Sequence, residues 1–124
     1  MAKTIFLIDD SGAMLMSLRD NLEFSGFNVE TAENGVKAIE KLMAGLNPDL
    51  IITDINMPNM DGIELIKKVR ALPNFRFVPI LTLTTEANQH KREEGKQAGA
   101  TGWLVKPIKI GDLLKIIKQV LPGV

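Results

Sequence analysis

Short apolar runs alternate along the chain with longer segments in which apolar residues recur every three or four positions. Such runs are typical of strands buried on both faces of a sheet, and the wider spacing is typical of amphipathic helices. The runs predict five strands, at residues 4–8, 27–31, 49–53, 78–83 and 101–105. The second run alternates polar with apolar residues, so we expect this strand nearer an edge of the sheet.

The segments between the runs predict five helices. One carries Met14, Leu18 and Leu22 and ends at Ser25-Gly26, and the others cover residues 35–44, 61–72, 87–99 and 110–121. Asp61 is the predicted N-cap of the third helix, and Met14 and Met43 are predicted core residues. The fourth helix has no large aliphatic residue and contains Gly95, which lowers helix stability by about 1 kcal/mol relative to Ala. We therefore expect a weakly held helix, either simply solvated or forming a mobile polar face that binds a partner.

Strands that alternate with helices in this way predict βαβ units with right-handed crossovers. The expected fold class is α/β, a doubly wound five-stranded parallel sheet with five helices, arranged as a flavodoxin-like three-layer sandwich. At 124 residues and 45% apolar content, the chain is expected to form one domain, residues 1–124, with no output domain. In such sheets the working surface lies beyond the carboxyl ends of the strands, near the point where strand order reverses.

Composition narrows the classes of partner and of chemistry. Lys plus Arg and Asp plus Glu number 15 each, so the overall charge does not call for a nucleic-acid or anionic-membrane partner. Without Cys there is no disulfide framework and no thiolate chemistry. The apolar stretch near the N-terminus is too short for a signal-peptide core or a membrane span, so a soluble cytoplasmic protein is expected.

Acidic residues follow two of the predicted strands at the ends where the working surface is expected. Asp9-Asp10 comes directly after the first strand, and Asp54 comes directly after the third. Clustered carboxylates are costly to desolvate and repel one another, which favours a cation or a phosphoryl group among them. Magnesium binds one or two carboxylates and keeps waters that a phosphate can replace, so one carboxylate remains free to act as a nucleophile.

Two further residues at strand ends suit phosphoryl chemistry. Lys106, after the fifth strand, would provide a fixed positive charge, and Thr84, after the fourth, a hydroxyl donor. Lys106 lies 52 residues after Asp54 and Thr84 lies 30 after it. Together with Asp9-Asp10, Asp54, Met57-Pro58, Met60-Asp61-Gly62 and Lys106-Pro107, this pattern resembles the receiver domain of two-component response regulators over essentially the whole chain. Asn56 and Glu86 make the chain most similar to chemotaxis proteins of the CheY type.

The resemblance implies a role for each matching position. Asp54 would accept a phosphoryl group from a phosphohistidine on a CheA-like histidine kinase. Asp10 and Asp54 would bind Mg²⁺ directly, Asp9 largely through water, and the Asn56 backbone carbonyl would be a further ligand. Lys106 and Thr84 would bind phosphoryl oxygens, and water attack would later reset the switch. The family also commonly has a cis peptide before the proline of Lys106-Pro107.

The resemblance also implies an output. A change at Thr84 would alter the switch aromatic, here Trp103, and with it the surface of the fourth helix, fifth strand and fifth helix. The expected partner is an output protein such as the flagellar motor switch, and the protein is expected to be a monomer that neither binds nucleic acid nor enters a membrane. A phosphorelay intermediate, a phosphate sink or a regulator of twitching motility is the alternative within the family.

Other interpretations of the same residues compete with these. Asp10 is also a candidate N-cap of the first helix, and Thr84 or Thr85 a candidate cap of the fourth. A phosphatase of the haloacid dehalogenase type would need a second Asp at position 56, where Asn stands, and Asp9 and Asp10 would repel the phosphate of a flavin in an electron carrier. Four departures from the family pattern, at Leu15, Thr85, Trp103 and Ile108, leave the partner surface and the switching behaviour open.

Overall fold

The computed structural model of the protein describes residues 2–121 as alternating strands and helices. The strands are β1 Thr4–Ile8, β2 Asn28–Ala32, β3 Leu50–Thr53, β4 Ile80–Thr84 and β5 Gly102–Val105. The helices are α1 Gly12–Phe24, α2 Gly35–Met43, α3 Gly62–Ala71, α4 Gln89–Ala98 and α5 Ile110–Val120, with a short 3-10 turn at Pro73–Phe75. No helix within these residues is long and apolar enough to cross a membrane.

All five strands form one parallel sheet in the order β2-β1-β3-β4-β5. The predicted doubly wound α/β sheet is therefore confirmed, and β2 lies at an edge, as its alternating pattern indicated. The chain passes from β1 to β2 on one side and returns to β3 on the other, so strand order reverses between β1 and β3. The expected ligand crevice therefore lies beyond the carboxyl ends of these two strands.

Two apolar cores cover the two faces of the sheet. On one face, Phe6 and Ile51 of the sheet pack with buried residues of α2 and α3, such as Ala38 and Ile66. On the other face the buried residues come mainly from α1, α5 and alternate positions of the strands, and they include Ile5, Leu7, Leu15, Leu22, Val29, Leu50, Ile52, Leu81, Leu83, Leu113 and Ile117. Strands covered on both faces account for the continuous apolar runs in the sequence.

Polar side chains cap the N-terminal ends of four helices. Ser11, Asn34, Asp61 and Asn88 each accept a hydrogen bond from a backbone N–H in the first turn of α1, α2, α3 and α4 respectively. The predicted cap at Asp61 is confirmed. The alternatives that made Asp10 the cap of α1, or Thr84 or Thr85 the cap of α4, are wrong, because residues closer to each helix do this instead.

Two of the predicted core positions need correction. Met43 is 72% exposed, so its assignment to the core is wrong. The buried side of α2 runs through Ala38 and Leu42. Met43, the next residue, is rotated about 100° around the helix axis from Leu42, so its side chain points away from that side. In α1 the buried positions are Leu15 and Leu22, two turns apart, whereas Met14 is only partly buried. Leu15 is thus a core residue.

Candidate functional site

Three carboxylates meet at the predicted crevice. Ile8 and Thr53 pair across β1 and β3, so the residues that follow them, Asp9 and Asp54, leave the sheet side by side. One oxygen each of Asp9, Asp10 and Asp54 lies within 4.8 Å of the others. Asp9 is 4% exposed and Asp54 is 8% exposed, whereas Asp10 faces solvent. The crevice therefore concentrates negative charge where two of the three groups have little access to water.

Lys106 neutralises part of this charge. Its Nζ lies 2.8 Å from Asp9 Oδ2 and 3.3 Å from Asp54 Oδ2, which places one cation between the two buried carboxylates. Burial alone would lower the pKa of Lys106, but the hydrogen bond to Asp9 and the charges of Asp9 and Asp54 outweigh it and raise this pKa above its usual value. Lys106 is therefore a fixed positive charge at neutral pH.

Backbone N–H groups orient both buried carboxylates. Asp9 Oδ1 accepts the Ser11 N–H at 2.9 Å, and Asp54 Oδ1 accepts the Ile55 N–H at 2.6 Å. In each case the second oxygen, Oδ2, is the one that meets Lys106. The two carboxylates thus present their remaining oxygens to the same small volume, which suits a ligand that needs several oxygen donors at once.

Gly62 allows the close approach of α3 to the residue that follows β3. A Cβ atom at position 62 would lie 2.1 Å from the backbone oxygen of Asp54, a distance that no side chain can accept. The Gly62 N–H donates to the Ile55 carbonyl at 2.8 Å, and the Thr53 hydroxyl donates to the Asp54 carbonyl at 2.9 Å. The backbone around Asp54 is therefore held on both sides. The Asp61-Gly62 pair is part of the sequence motif, but the role of Gly62 in packing depends on a contact that the spacing of residues in the sequence does not show.

Thr84 and Trp103 belong to a second group, joined through Glu86. Thr84 is fully buried, and its hydroxyl oxygen accepts the Glu86 N–H at 3.2 Å. The Glu86 carbonyl accepts the Trp103 indole N–H at 2.9 Å. This group connects to the acidic one because the Lys106 N–H donates to the Thr84 carbonyl at 2.8 Å. The peptide bond between Lys106 and Pro107 is cis, as the resemblance implied.

The donor set fits a hard divalent cation. Three carboxylates with oxygens in one small volume, two of them buried and one exposed, match the oxygen-only preference of Mg²⁺. The exposed Asp10 leaves the site open toward solvent, so the cation would keep water ligands. Asn56, whose carbonyl is the further predicted ligand, lies exposed in the loop two residues after Asp54.

The sequence of the chain is similar to that of known proteins. Residues 5–118 match the family described as the response regulator receiver domain. The response regulator MprA of Mycobacterium sp. (strain KMS) is 36% identical over 121 residues, which cover 98% of this chain and 51% of that protein. The chain thus spans about half the length of the curated relatives it matches.

Solved structures of receivers have the same fold. The chemotaxis protein CheY4 of Vibrio cholerae is 42% identical, covers 98% of this chain and all of its own, and superposes with a TM-score of 0.93. The receiver domain of the sensor histidine kinase PA1611 from Pseudomonas aeruginosa, which has a magnesium ion coordinated in its active-site cleft, is 30% identical with a TM-score of 0.86. These two chains cover 98% and 96% of this one.

The chain belongs to the response regulator receiver family. Receivers are phosphoacceptor switches and not enzymes with a separate substrate; they take a phosphoryl group from a histidine kinase and act on an output partner. Receivers bind Mg²⁺ in an acidic pocket, and Asp9, Asp10 and Asp54 form an acidic cluster in this structure. Membership therefore excludes the dehalogenase-type phosphatase and the flavin electron carrier.

Proposed function

We propose that this receiver is a chemotaxis switch in which Asp54 accepts the phosphoryl group from a CheA-like histidine kinase in the cytoplasm. The observation that carries the proposal is the position of Lys106 Nζ, within 3.3 Å of Asp54 Oδ2 and 2.8 Å of Asp9 Oδ2. A carboxylate that is both oriented and next to a fixed cation is prepared to attack an anionic phosphoryl group.

The proposed transfer uses the residues of the site, the phosphohistidine of the donor and Mg²⁺. Asp54 Oδ2 attacks the phosphorus, the bond between phosphorus and the kinase imidazole breaks, and the imidazole nitrogen leaves with its electron pair. Lys106 and the Thr84 hydroxyl bind oxygens of the transferred group. Mg²⁺, held by Asp10, Asp54 and the Asn56 carbonyl, with Asp9 acting through water, would supply further neutralisation of the developing charge.

The proposed reset is hydrolysis at the same site. Water attacks the phosphorus, Asp54 leaves as a carboxylate, and inorganic phosphate is released. Thr85 is exposed and follows the buried Thr84 in the chain. We infer that its bulk narrows access to the phosphoryl group and slows the approach of water or of a phosphatase.

The proposed signal begins when Thr84 turns toward the phosphoryl group. Its hydroxyl oxygen then leaves the Glu86 N–H, so the loop that holds the Trp103 indole is released from one contact. Trp103 changes rotamer or environment, and the surface of α4, β5 and α5 changes with it. Trp103 is the sole tryptophan, so its fluorescence should change when beryllofluoride and Mg²⁺ occupy the site. An unchanged spectrum despite demonstrated binding would contradict this part of the proposal.

The proposed output is the flagellar motor switch, contacted by the monomeric protein. Similarity to the chemotaxis protein CheY4 at 42% identity supports this output. The alternative within the family is a phosphorelay intermediate, a phosphate sink or a regulator of twitching motility, and it shares all the chemistry above.

A pulldown with three forms of the protein distinguishes between these outputs. The wild type is loaded with beryllofluoride and Mg²⁺ and compared with Asp54→Ala and with Asp20→Asn, which removes an exposed acidic group of α1 as a matched control. Recovery of a flagellar switch component with the loaded wild type and the loaded Asp20→Asn, but not with Asp54→Ala, supports the chemotaxis output. Recovery of a histidine phosphotransfer protein alone would favour the relay or sink and contradict it.

A further inference from the structure

The loop between Asp54 and α3 has an unusual shape. Asn59 has a φ of 71°, and among residues 2–121 it is the one residue other than glycine with a positive φ. The Met60 N–H donates to the Pro58 carbonyl at 2.8 Å, so the chain makes a three-residue turn centred on Asn59. Asn enters the left-handed region more readily than most residues, but such a conformation persists only where neighbouring contacts hold it. Residues on either side of the turn must therefore fix it.

Met57 and Met60 provide buried contacts on the two sides of the turn. They are 8% and 7% exposed, and both belong to the apolar core that lies between the sheet, α2 and α3. Pro58 and Asn59, which lie between them, face solvent. The side chains that hold the loop are therefore the two methionines and not the residues at its tip.

Met60 lies against the first residue of α2. A Cβ atom at position 35 would lie 2.7 Å from Met60 Sδ, 3.0 Å from Cγ and 3.1 Å from Cβ, so the Met60 side chain runs along the surface that Gly35 leaves bare. Gly35 does not have a positive φ, so the backbone at this position does not itself require glycine. The requirement for glycine comes from the contact with Met60.

The same loop contains Asn56, whose backbone carbonyl is the further Mg²⁺ ligand of the proposed function. The Met57 N–H and the Gly62 N–H both donate to the Ile55 carbonyl, at 3.1 and 2.8 Å, and close the loop at its base. The path of the intervening residues decides where the Asn56 carbonyl lies, and the Met60 contact fixes that path. Residues that orient metal ligands typically change metal affinity tenfold or more when they are replaced.

We propose that Met60, seated on Gly35, is a positioning residue for Mg²⁺ binding, because it holds the loop in the shape that presents the Asn56 carbonyl to the cation. The effect on Mg²⁺ rests on the proposed function, whereas the contact between Met60 and Gly35 does not. Helix α2 thereby contributes to the Mg²⁺ affinity of the acidic cluster, although none of the proposed ligands belongs to it.

A double-mutant cycle on Mg²⁺ affinity tests the contact. The wild type, Gly35→Ala, Met60→Ala and the double variant are titrated with Mg²⁺, and the Kd is measured from amide chemical shifts. Gly35→Ala should raise the Kd about tenfold, because the new methyl group displaces the Met60 side chain. Met60→Ala should raise the Kd by a similar factor, and adding Gly35→Ala to it should change nothing further. Unchanged Kd values in the single variants, or losses that multiply in the double variant, would overturn the proposal.

Three further variants separate positioning from a general loss of stability. Met60→Leu keeps the apolar volume, so its Kd for Mg²⁺ should stay within about twofold of the wild type. Leu42→Ala removes a buried side chain of α2 from the same core, so it should lower the Tm and leave the Kd unchanged. Gly111→Ala, where a Cβ atom would have no neighbour within 4 Å, is the glycine control and should also leave the Kd unchanged. A Kd that rises in Leu42→Ala as much as in Met60→Ala would contradict a positioning role.

Hydrogen exchange without Mg²⁺ tests the contact independently of the metal. In Gly35→Ala and Met60→Ala the Met57 and Met60 amides should exchange faster, while those of β1 and β3 keep their protection. Unchanged exchange of the loop amides in both variants would contradict the proposal. If the wild type binds no Mg²⁺, the proposed function fails, and the exchange rates still decide whether Met60 holds the loop.

Discussion

Replacing Lys106 with Met removes the one positive charge placed between two buried carboxylates. Lys106 Nζ is 2.8 Å from Asp9 and 3.3 Å from Asp54, and the Lys106 side chain is only 14% exposed. Met keeps most of the length and apolar stem of the side chain, so the change isolates the charge. Without the cation, two carboxylates face each other with little water to screen them.

The expected loss of stability follows from the burial of Lys106, Asp9 and Asp54. Removing one partner from a buried ion pair costs about 3–5 kcal/mol. The crevice opens to solvent at Asp10, so we expect the lower end, about 3 kcal/mol, which corresponds to a Tm about 10 °C lower for a chain of 124 residues. Mg²⁺ should recover much of this loss and bind more tightly than in the wild type, because Lys106 no longer competes for the same oxygens.

Urea unfolding with and without Mg²⁺ measures both effects. Lys109→Met is the control, because Lys109 lies in the same loop, is exposed and makes no capping hydrogen bond through its side chain. We expect this control to differ from the wild type by less than about 0.5 kcal/mol. A Lys106→Met protein as stable as the control in the absence of Mg²⁺, or one that Mg²⁺ stabilises less than the wild type, would refute the reasoning.

Three other predictions follow from single residues. Thr82→Val should raise stability by about 1 kcal/mol in thermal melts, because the Thr82 hydroxyl is fully buried and has no hydrogen-bond partner among residues 2–121; a loss of stability would contradict this. Asp10→Asn should weaken Mg²⁺ binding, measured by calorimetry, roughly tenfold or more. It should not lower the Tm, because Asp10 is exposed. Asp9→Asn should weaken Mg²⁺ binding and also lower the Tm, because Asp9 contacts Lys106. The stability difference between the wild type and Lys106→Met should stay constant from neutral pH to the usual lysine pKa of about 10.4 and shrink as pH rises through the raised pKa of folded Lys106. A decrease that begins near neutral pH would be inconsistent with this prediction.

The sheet and the acidic crevice were predictable from sequence because each depends on local pattern. Continuous apolar runs require burial on both faces, and alternation with helices requires parallel strands, so Asp9 and Asp54 had to leave the sheet at the same edge. Strand and helix ends differed from the prediction by one or two residues, and at α4 the capping side chain of Asn88 sets the first residue of the helix. Met43 was misplaced because a single residue at a helix end turns the side chain away from the core.

Contacts between distant segments could not be predicted in the same way. Gly95 looked only like a weak point in a polar helix, and Trp103 only like a bulky switch residue, eight positions later. The Trp103 ring lies against Gly95, and this fit depends on how α4 lies across β5, which neither periodicity nor composition specifies. The requirement for glycine at position 62 could not be predicted either, because it arises from the close approach of α3 to the Asp54 carbonyl.

Phosphoryl incorporation at Asp54 is the most direct test of the proposed switch. The wild type, Asp54→Asn and Asp20→Asn are incubated with acetyl phosphate and Mg²⁺, and intact mass and peptide mapping are recorded before hydrolysis. We expect the wild type and Asp20→Asn to gain one phosphoryl group on Asp54, and we expect no gain in Asp54→Asn or after Mg²⁺ is chelated. Equal incorporation in Asp54→Asn, or a phosphoryl group that maps to another residue, would contradict Asp54 as the acceptor.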